Sequence, residues 1–492
     1  MRFPHLASLP AWLEQQFTLM RKTKILCTLG PASDTPEMIA ALLDAGMNAV
    51  RLNFSHGTHE QHAASVARVR SAAKERDRGV PIVADLQGPK VRTGKLEGGK
   101  PLPLSEGQEL ALTPEEILGT ASRVSIDYGA LAQDVEPGHR VLLADGAVQL
   151  EVIRLEGDDV ICRVLNDGEL GERKGVNVPG ANMSVPSITE KDKEDLRFAL
   201  SQGVEYIAQS FVRTAKDVQL AKNLIGWADS SAKIIAKIEK PQALDDLEAI
   251  LDVADGVMVA RGDLGVELNP WQVPIAQKQI IEAAARWRKP VITATQMLES
   301  MVTRPTPTRA EASDVANAVF DGSDALMLSA ETATGKFPVE AVKMMAQIIK
   351  TAEAHSKGVN LDLGPTPRAG EEFSVEVAHS ASRLADKLGA RYIVVYTESG
   401  YTAQLISKHH PTCSIAAFSR NLDVCRRLKL LWGVRSKQIR EVTELDELVL
   451  LVDSMLRKYK WVEPGDLIVL VAGTPFTVSG HTDLIKLHRI GS

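Results

Sequence analysis

The feature that most constrains the fold is a repeated unit, in which a short apolar run ends in polar residues and a helical-period segment follows. Eight such runs occur: Lys24–Leu29, Ala49–Ser55, Pro81–Asp85, Tyr206–Phe211, Lys233–Glu239, Val257–Asp263, Val291–Thr295 and Ala325–Glu331. Runs rich in Val, Ile and Ala that alternate with helices are typical of buried parallel strands. Eight units of this kind predict a closed α/β barrel of the (β/α)₈ TIM type.

One connection, at 87–186, is too long for a barrel loop. It contains short predicted strands separated by Gly, Asp and Pro: Glu109–Thr113, Val141–Leu143, Val148–Leu155 and Val160–Leu165. We therefore predict an all-β domain inserted after strand three. Because barrels place their active sites at the C-terminal ends of the strands, this domain is positioned to act as a lid that excludes water.

A Gly- and Pro-rich stretch at 358–371 is typical of a linker, and a new α/β alternation follows it. The strands predicted there are Tyr392–Tyr396, Ser414–Phe418 and Asp466–Val471. The sequence thus predicts an N-terminal extension at 1–20, a barrel at 21–86 and 187–356, and a lid at 87–186. The remainder, 357–492, is predicted to be a C-terminal open-sheet regulatory domain.

Composition excludes several classes of protein. The formal charge of −6 argues against a nucleic-acid partner, and no apolar run approaches the roughly 20 residues that span a membrane. Four scattered cysteines without a CxxC pair indicate a reducing compartment. Pro4 and Pro10 interrupt the N-terminal apolar stretch, so a signal peptide is not indicated. We expect a cytoplasmic protein, with Met1 and Met20 both candidate start residues.

Polar residues at the C-terminal ends of barrel strands should point at the substrate. Arg51, Asn53 and Ser55 share one face of strand two, because side chains two apart on a strand point the same way. A guanidinium suits a phosphate or a carboxylate, although a structural salt bridge is the alternative for Arg51.

Strands five and six end in carboxylates. Glu239 shares a face with Lys237, and Asp263 is the last polar group before a turn flanked by glycine. Two hard carboxylates from adjacent strand ends suit Mg²⁺, with Mn²⁺ as the second candidate. The alternative is a buried lysine–carboxylate network that only stabilises the barrel.

Two more residues lie at the predicted rim. Thr295 could donate a hydrogen bond to a substrate carboxylate, unless its hydroxyl is satisfied by local backbone. Arg92 lies at the hinge of the insertion, facing bound phosphates. Neither a P-loop nor a G-x-G-x-x-G dinucleotide motif is present. His56, His59 and His62 do not form H-E-x-x-H, so we predict that they lie on a solvated helix face, with His56, which adjoins the rim, as the expected exception.

Five motifs occur in order at these strand ends: RLNFSHG at 51–57, KIE at 237–239, MVARGDLGVE at 258–267, TATQMLESM at 293–301 and MLSAET at 327–332. Together they resemble the pyruvate kinase family, and the similarity extends over nearly the whole chain from about residue 21. The resemblance implies transfer of a phosphoryl group from phosphoenolpyruvate to ADP, giving pyruvate and ATP in the last step of glycolysis. It also implies Mg²⁺ and a homotetramer.

The resemblance further implies roles for single residues. Arg51 binds the transferring phosphate, and Lys237 stabilises it in flight. Glu239 and Asp263 are the metal ligands. The substrate carboxylate is held by Gly262, Asp263 and Thr295, and nucleotide contacts come from Asn53, Phe54, Ser55, His56, Arg92 and Lys174. The donor that protonates the enolate stays open.

A departure from the family concerns K⁺. Many members hold K⁺ with residues that match Asn53, Ser55, Asp85 and the backbone of Leu86, and carry an acidic residue where this chain has Lys90. The chain resembles the K⁺-independent branch. An ammonium can occupy a monovalent-cation site and would repel K⁺ there. We hypothesise that Lys90 makes K⁺ unnecessary; the alternative is that it faces solvent.

The C-terminal domain carries a hydroxyl-rich turn before a helix, with Thr397, Ser399, Gly400 and Thr402. Backbone N–H groups and the helix dipole can bind phosphate at such a turn. The resemblance implies a phosphorylated allosteric effector, for which a sugar phosphate and AMP are the candidates. A second loop, at 472–482, could close over it. Tyr401 stands where related sites often carry a basic residue, so an unregulated turn is the alternative.

Two other functions compete with this reading. A Mg²⁺-dependent aldolase or lyase that forms a pyruvate enolate would share the metal carboxylates but would not need Arg92 or Lys174. A catalytically silent metabolite-binding protein would not need Lys237, Glu239 and Asp263 together.

Overall fold

The structure, a computed structural model, describes residues 20–181, 183–355, 363–364, 369–476 and 481–492. Nearly all of the predicted N-terminal extension and most of the predicted linker therefore lie outside the described residues.

The elements follow one another as three groups. The first barrel segment and the insertion comprise β1 (Lys24–Thr28), α1 (Pro36–Ala45), β2 (Ala49–Asn53), α2 (His59–Glu75), β3 (Ile82–Asp85), β4 (Leu102–Leu104), β5 (Glu109–Thr113), β6 (Arg123–Ser125), α3 (Leu131–Asp134), β7 (Arg140–Leu143), β8 (Val148–Glu156), β9 (Asp159–Val164), β10 (Gly168–Leu170) and β11 (Val176–Asn177). The second barrel segment comprises α4 (Glu190–Ser201), β12 (Tyr206–Val212), α5 (Ala215–Trp227), β13 (Lys233–Ile238), α6 (Pro241–Asp245), α7 (Leu247–Val253), β14 (Gly256–Ala260), α8 (Arg261–Glu267), α9 (Val273–Arg286), β15 (Val291–Ala294), α10 (Arg309–Phe320), β16 (Ala325–Leu328), α11 (Ala330–Ala333) and α12 (Pro338–His355). The C-terminal domain comprises α13 (Glu372–Leu388), β17 (Tyr392–Tyr396), α14 (Tyr401–Lys408), β18 (Ser414–Ser419), α15 (Leu422–Arg427), β19 (Val434–Gln438), α16 (Leu445–Lys458), β20 (Leu467–Ala472) and β21 (Leu484–Arg489).

Eight parallel strands close the barrel in the order β1-β16-β15-β14-β13-β12-β3-β2, which confirms the predicted fold class. Four of its helices, α2, α4, α5 and α10, begin with a threonine capping box, which fixes the first residue of each helix by satisfying N–H groups of the first turn. The capping residues are Thr58, Thr189, Thr214 and Thr308. The register brings every strand's C-terminal end to one rim.

Two predicted strand ends were wrong. Strand six ends at Ala260, and Arg261–Glu267 forms α8; strand eight ends at Leu328, and Ala330–Ala333 forms α11. After each of these apolar runs, the backbone forms hydrogen bonds within a helical turn instead of with a neighbouring strand. A short apolar run does not distinguish these two outcomes. Asp263 consequently projects from the first turn of a helix.

The insertion consists mainly of β-strands, as predicted, with one four-residue helix, α3. Its main sheet has the order β11-β7-β8-β9-β5-β6, beside the pair β10-β4, and it has its own apolar core. It contacts the barrel rim where Asn177 Nδ2 donates to Glu267 Oε1 on α8 over 3.0 Å. The lid and the helix that carries Asp263 are therefore in direct contact.

The C-terminal sheet has the order β19-β18-β17-β20-β21, with β21 antiparallel to its neighbour; the sequence did not predict β19 or β21. This domain packs against the N-terminal ends of the barrel strands, where Lys24 Nζ donates to the Val434 carbonyl over 2.8 Å and Tyr206 Oη to the Arg427 carbonyl over 3.1 Å. Among the described residues, no helix combines the length and the apolar character needed to cross a membrane.

Candidate active site

A buried lysine lies at the centre of the barrel rim. Lys237 Nζ is 2.8 Å from Glu239 Oε1 and 3.2 Å from Asp85 Oδ1, and it donates to Ser210 Oγ over 2.6 Å. Burial alone would lower the pKa of Lys237, but the carboxylates of Asp85 and Glu239 raise it above its ordinary value. The side chain is therefore held as a cation in a site nearly free of solvent.

Asp85 connects this lysine to the arginine of strand two. Arg51 Nε donates to Asp85 Oδ2 over 2.6 Å, and a terminal guanidinium nitrogen donates to Thr28 Oγ1 over 3.2 Å. Burial opposes ionisation of Asp85, yet Lys237 and Arg51 hold its pKa below the ordinary value. Arg51, Asp85, Lys237 and Glu239 thus form one continuous network that opens onto one rim.

The predicted metal carboxylates, Glu239 and Asp263, repel each other, and Lys237 and Lys90 are the cations beside them. Burial raises the pKa of Glu239 to about 7; Lys237 opposes this rise and Asp263 adds to it by repulsion. Within the described part of the chain, Glu239 Oε1 accepts no hydrogen bond of good geometry, although Lys237 Nζ is close. A divalent cation would offset the repulsion between the two carboxylates and would give Glu239 Oε1 a partner. The pair therefore fits a metal that takes two protein oxygens and completes its coordination shell with water and substrate. No group of three or more metal-ligating side chains occurs among the described residues.

Thr295 lies beside the first turn of α8. Its hydroxyl accepts the backbone N–H of Gly262 over 2.8 Å and donates to the Ala294 carbonyl over 2.6 Å. Gly262, Asp263 and Thr295 are therefore brought together at the ends of strands six and seven, as the carboxylate hypothesis requires. The Thr295 hydroxyl also donates to a neighbouring backbone carbonyl, so the geometry is equally compatible with a purely local structural role for this side chain.

The nucleotide candidates fall into two places. On the barrel, Asn53 Oδ1 accepts the N–H of Ser55 over 3.1 Å, and the ring of Phe54 is buried. His56 is exposed at the rim. On the lid, Arg92 pairs with Gly175 in a bridge next to Lys174, so these two basic residues are neighbours across the hinge.

The K⁺ candidates are already engaged. Both oxygens of Asp85 are occupied, and the carbonyl of Leu86 accepts Ser210 Oγ over 2.7 Å. Lys90 Nζ lies 3.8 Å from Asp263 Oδ1, so Asp263 is its ion-pair partner in the part of the chain that the structure describes. The ammonium thus lies on the side of the site that carries Asp263, and its substitution for K⁺ stays a prediction.

Sequence reasoning missed Ser210 and misplaced His62. Ser210 links Lys237 to strand three; its signal was a polar pair, Gln209 and Ser210, inside an otherwise apolar strand end. His62 is buried, stacks on Phe54 with ring centroids 4.3 Å apart and contacts the His56 carbonyl, so the predicted solvated face was wrong for this residue.

The C-terminal turn is closed by its own side chains. Thr397 Oγ1 accepts the N–H of Gly400 over 2.9 Å, and Ser399 Oγ accepts that of Tyr401 over 3.4 Å. Thr402 Oγ1 lies 2.7 Å from Thr482 Oγ1, at the end of the second loop. Residues 477–480 of that loop lie outside the described residues.

A barrel rim that holds a buried lysine and arginine beside two carboxylates provides the groups that metal-assisted phosphoryl transfer requires. The family model for the barrel domain of pyruvate kinase matches residues 20–342, and the model for its alpha/beta domain matches residues 375–488. The chain belongs to the pyruvate kinase family, whose members are phosphotransferases that use a divalent metal.

Known relatives agree over nearly the full length. The pyruvate kinase of Geobacillus stearothermophilus is 45% identical over 476 residues, which are 96% of this chain and 81% of that protein. The pyruvate kinase of Mycobacterium tuberculosis H37Rv is 43% identical over 473 residues, which are 96% of this chain and 99% of that protein. A crystal structure of a pyruvate kinase from Cryptosporidium parvum superposes with a TM-score of 0.91 at 39% identity, covering 98% of both chains.

Proposed function

We propose that the chain transfers the phosphoryl group of phosphoenolpyruvate to ADP at the C-terminal rim of the barrel, in the last step of glycolysis. The observation that carries this assignment is the continuous network from Arg51 through Asp85 to Lys237 and Glu239. The cations Arg51 and Lys237 and the carboxylate of Glu239, which we propose as a metal ligand, would surround the phosphoryl group during transfer.

Phosphoryl transfer needs in-line positioning and positive charge around the equatorial oxygens, with little covalent work by the protein. Arg51 and Lys237 supply that charge, and Asp85 keeps both side chains aligned between turnovers. Glu239 and Asp263 would hold Mg²⁺, or Mn²⁺ in its place. When bound, the metal supplies a Lewis acid for the oxygen of the enolate that remains.

We infer the remaining contacts from the resemblance to the family. To bind the substrate carboxylate beside Asp263, the Gly262 N–H would leave the Thr295 hydroxyl and that hydroxyl would leave the Ala294 carbonyl. ADP lies between the barrel residues Asn53–His56 and the basic pair Arg92 and Lys174 on the lid. Closure of the lid over both substrates would exclude water from the reacting phosphorus.

A coupled assay of pyruvate formation from phosphoenolpyruvate, with and without ADP, tests the assignment. Pyruvate release that requires ADP and produces equal ATP supports it. ADP-independent pyruvate formation would instead favour a lyase, and binding without turnover would favour a silent metabolite-binding protein.

We propose a homotetramer because the resemblance to the family implies one, and we assign exposed apolar side chains of two domains to its interfaces. Trp271 (73% exposed) and Ile275 lie on the barrel surface at the start of α9. Phe373 (84% exposed) lies at the start of α13 and Leu487 on the edge strand β21 of the C-terminal domain. Two distinct self-complementary interfaces generate a four-subunit assembly with D₂ symmetry. Sedimentation of the wild type and of Phe373→Ser tests it, because loss of one interface should leave dimers.

We also propose that a sugar phosphate or AMP binds at the turn 397–402. A cavity of about 340 Å³ lies between this turn and the N-terminal end of the barrel, and Lys233 and Arg427 line it. Calorimetry with sugar phosphates and AMP on the wild type and on Ser399→Asp decides the point; unchanged heats in both would reject an effector here. The four cysteines, all free thiols, support a reducing, cytoplasmic location.

A further inference from the structure

We propose that Arg261 is a positioning residue that fixes the substrate-carboxylate subsite by holding the backbone at 294–297. The inference rests on the proposed role of Thr295 and Gly262, and it assigns to Arg261 no contact with substrate.

The guanidinium of Arg261 is 10% exposed and points at the end of strand seven. One terminal nitrogen donates to the Thr295 carbonyl over 2.7 Å and lies 2.8 Å from Met297 Sδ, while Nε donates to the Ala294 carbonyl over 3.4 Å. A single side chain therefore ties down three residues of the segment that carries the Thr295 hydroxyl.

That segment needs an external hold. Thr295 and Gln296 have φ values of +66° and +53°, in the left-handed region that costs free energy for residues with a Cβ. In this conformation the Thr295 hydroxyl meets the N–H of Gly262. Because Gly262 follows Arg261 directly, one residue sets the distance between the two groups proposed to bind the carboxylate.

The other edge of the guanidinium is fixed by two helices. Asp314 on α10 lies 2.7 Å from the second terminal nitrogen, and Gln277 on α9 accepts from it over 3.4 Å. A planar fork with five donors can serve Asp314 and the Thr295 carbonyl together, whereas the point charge of a lysine cannot. Lysine at this position would keep the positive charge but could not bond Asp314 and the Thr295 carbonyl at the same time.

The test compares wild type with Arg261→Lys for three ligands in the presence of Mg²⁺. Oxalate serves as the probe of the carboxylate subsite, because it resembles the enolate of pyruvate in shape and charge. We expect the KM for phosphoenolpyruvate and the Kd for oxalate to rise by about 10- to 100-fold, the worth of a hydrogen bond from a charged group. The Kd for ADP should stay close to that of the wild type.

A second substitution tests the conformational cause. Gln296→Gly lowers the cost of the left-handed turn without removing the Thr295 hydroxyl, because glycine adopts positive φ freely. Added to Arg261→Lys, it should restore a substantial part of the oxalate affinity. Arg123→Lys, which alters a lid arginine held by Asp159 and Glu115, is the matched control and should change neither constant.

Three results would overturn the proposal: unchanged oxalate affinity in Arg261→Lys, an equal loss of oxalate and ADP affinity, or a double variant no better than Arg261→Lys alone. Failure of the proposed function is a separate result, seen as absence of ADP-dependent pyruvate formation by the wild type.

Discussion

The ammonium of Lys408 and the carboxylate of Asp324 form an ion pair from which solvent is excluded, with side-chain exposures of 1% and 0%. Lys408 ends α14 in the C-terminal domain, and Asp324 immediately precedes β16 of the barrel. Asp324 also accepts the N–H of Val291 over 2.8 Å. The pair therefore joins the helix that follows the proposed effector turn to the first residues of two barrel strands.

We predict that Lys408→Met lowers the free energy of unfolding by about 3–5 kcal/mol, because it leaves the charge of Asp324 buried without its partner. Urea unfolding followed by circular dichroism measures the change. Lys193→Met is the control, since Lys193 pairs with Glu190 at the surface of α4 and should cost under about 1 kcal/mol. Equal effects of the two substitutions would contradict the interpretation.

Replacing the central cation should abolish most turnover. Lys237→Met removes the ammonium that faces the phosphoryl group, and we expect kcat to fall by about 100- to 1,000-fold or more, as for loss of a preorganised donor to developing charge. Lys222→Met is the control, because Lys222 lies on the outer helix α5, where it pairs with Asp255 and donates to the Val253 carbonyl. A kcat for Lys237→Met within a few-fold of that of Lys222→Met would contradict this role.

The convergence of Arg51, Lys237 and Glu239 could be predicted from the sequence because two local rules are enough. Strand side chains alternate with period two, and all strands of a parallel barrel end at one rim. The same rules failed for Asp263, since its run continues as a helix where a strand was expected.

The rest of the site depends on contacts between distant segments. Nothing local in the sequence shows that Asp85 serves Arg51 and Lys237 together, 34 and 152 positions apart in the chain, respectively. Likewise, the positive φ of Thr295 follows no glycine or asparagine signal, and Arg261 holds that conformation from another strand end. Tertiary contacts of this kind override local preference, which is why such positions escape prediction.

Metal dependence should follow from the paired carboxylates. Chelation should remove activity, and Mg²⁺ or Mn²⁺ should restore it. Glu239→Gln should raise the Mg²⁺ concentration for half-maximal activity by at least about 10-fold, since even changes behind a metal ligand cost that much. Glu205→Gln controls for loss of a buried carboxylate, because Glu205 pairs with Arg70 at the far end of the barrel. An equal shift in both variants would argue against Glu239 as a ligand.

The hypothesis for Lys90 predicts activity without K⁺. With K⁺ replaced by tetramethylammonium, turnover should fall by less than about tenfold, or 1.4 kcal/mol in the barrier. Lys90→Glu should create a requirement for K⁺, whereas Lys95→Glu, which places the same change at an exposed lid position, should not. A larger loss in the wild type would reject the substitution of an ammonium for K⁺.

Two adjacent histidines should make the protein less stable in acid. Burial lowers the pKa of His409 to about 4, and burial also lowers that of His410 well below 6.5, with Lys408 and Lys22 adding repulsion. Both are thus neutral in the folded state, while the unfolded chain takes up protons near pH 6.5. The unfolded state binds more protons below that pH, so the free energy of unfolding should fall as pH decreases from 6.5 towards 4.

The variant His410→Phe tests the contribution of His410 to the loss of stability in acid. Phenylalanine can keep the stacking on Trp432, whose ring lies 4.0 Å away and nearly parallel, and it cannot be protonated. Over pH 6.5 to 4 we expect the slope of unfolding free energy against pH to decrease by up to about 1.4 kcal/mol per pH unit, the linkage of one proton. His139→Phe on the lid is the control. A slope in His410→Phe as steep as in the wild type would show that this ring does not take part in the acid transition.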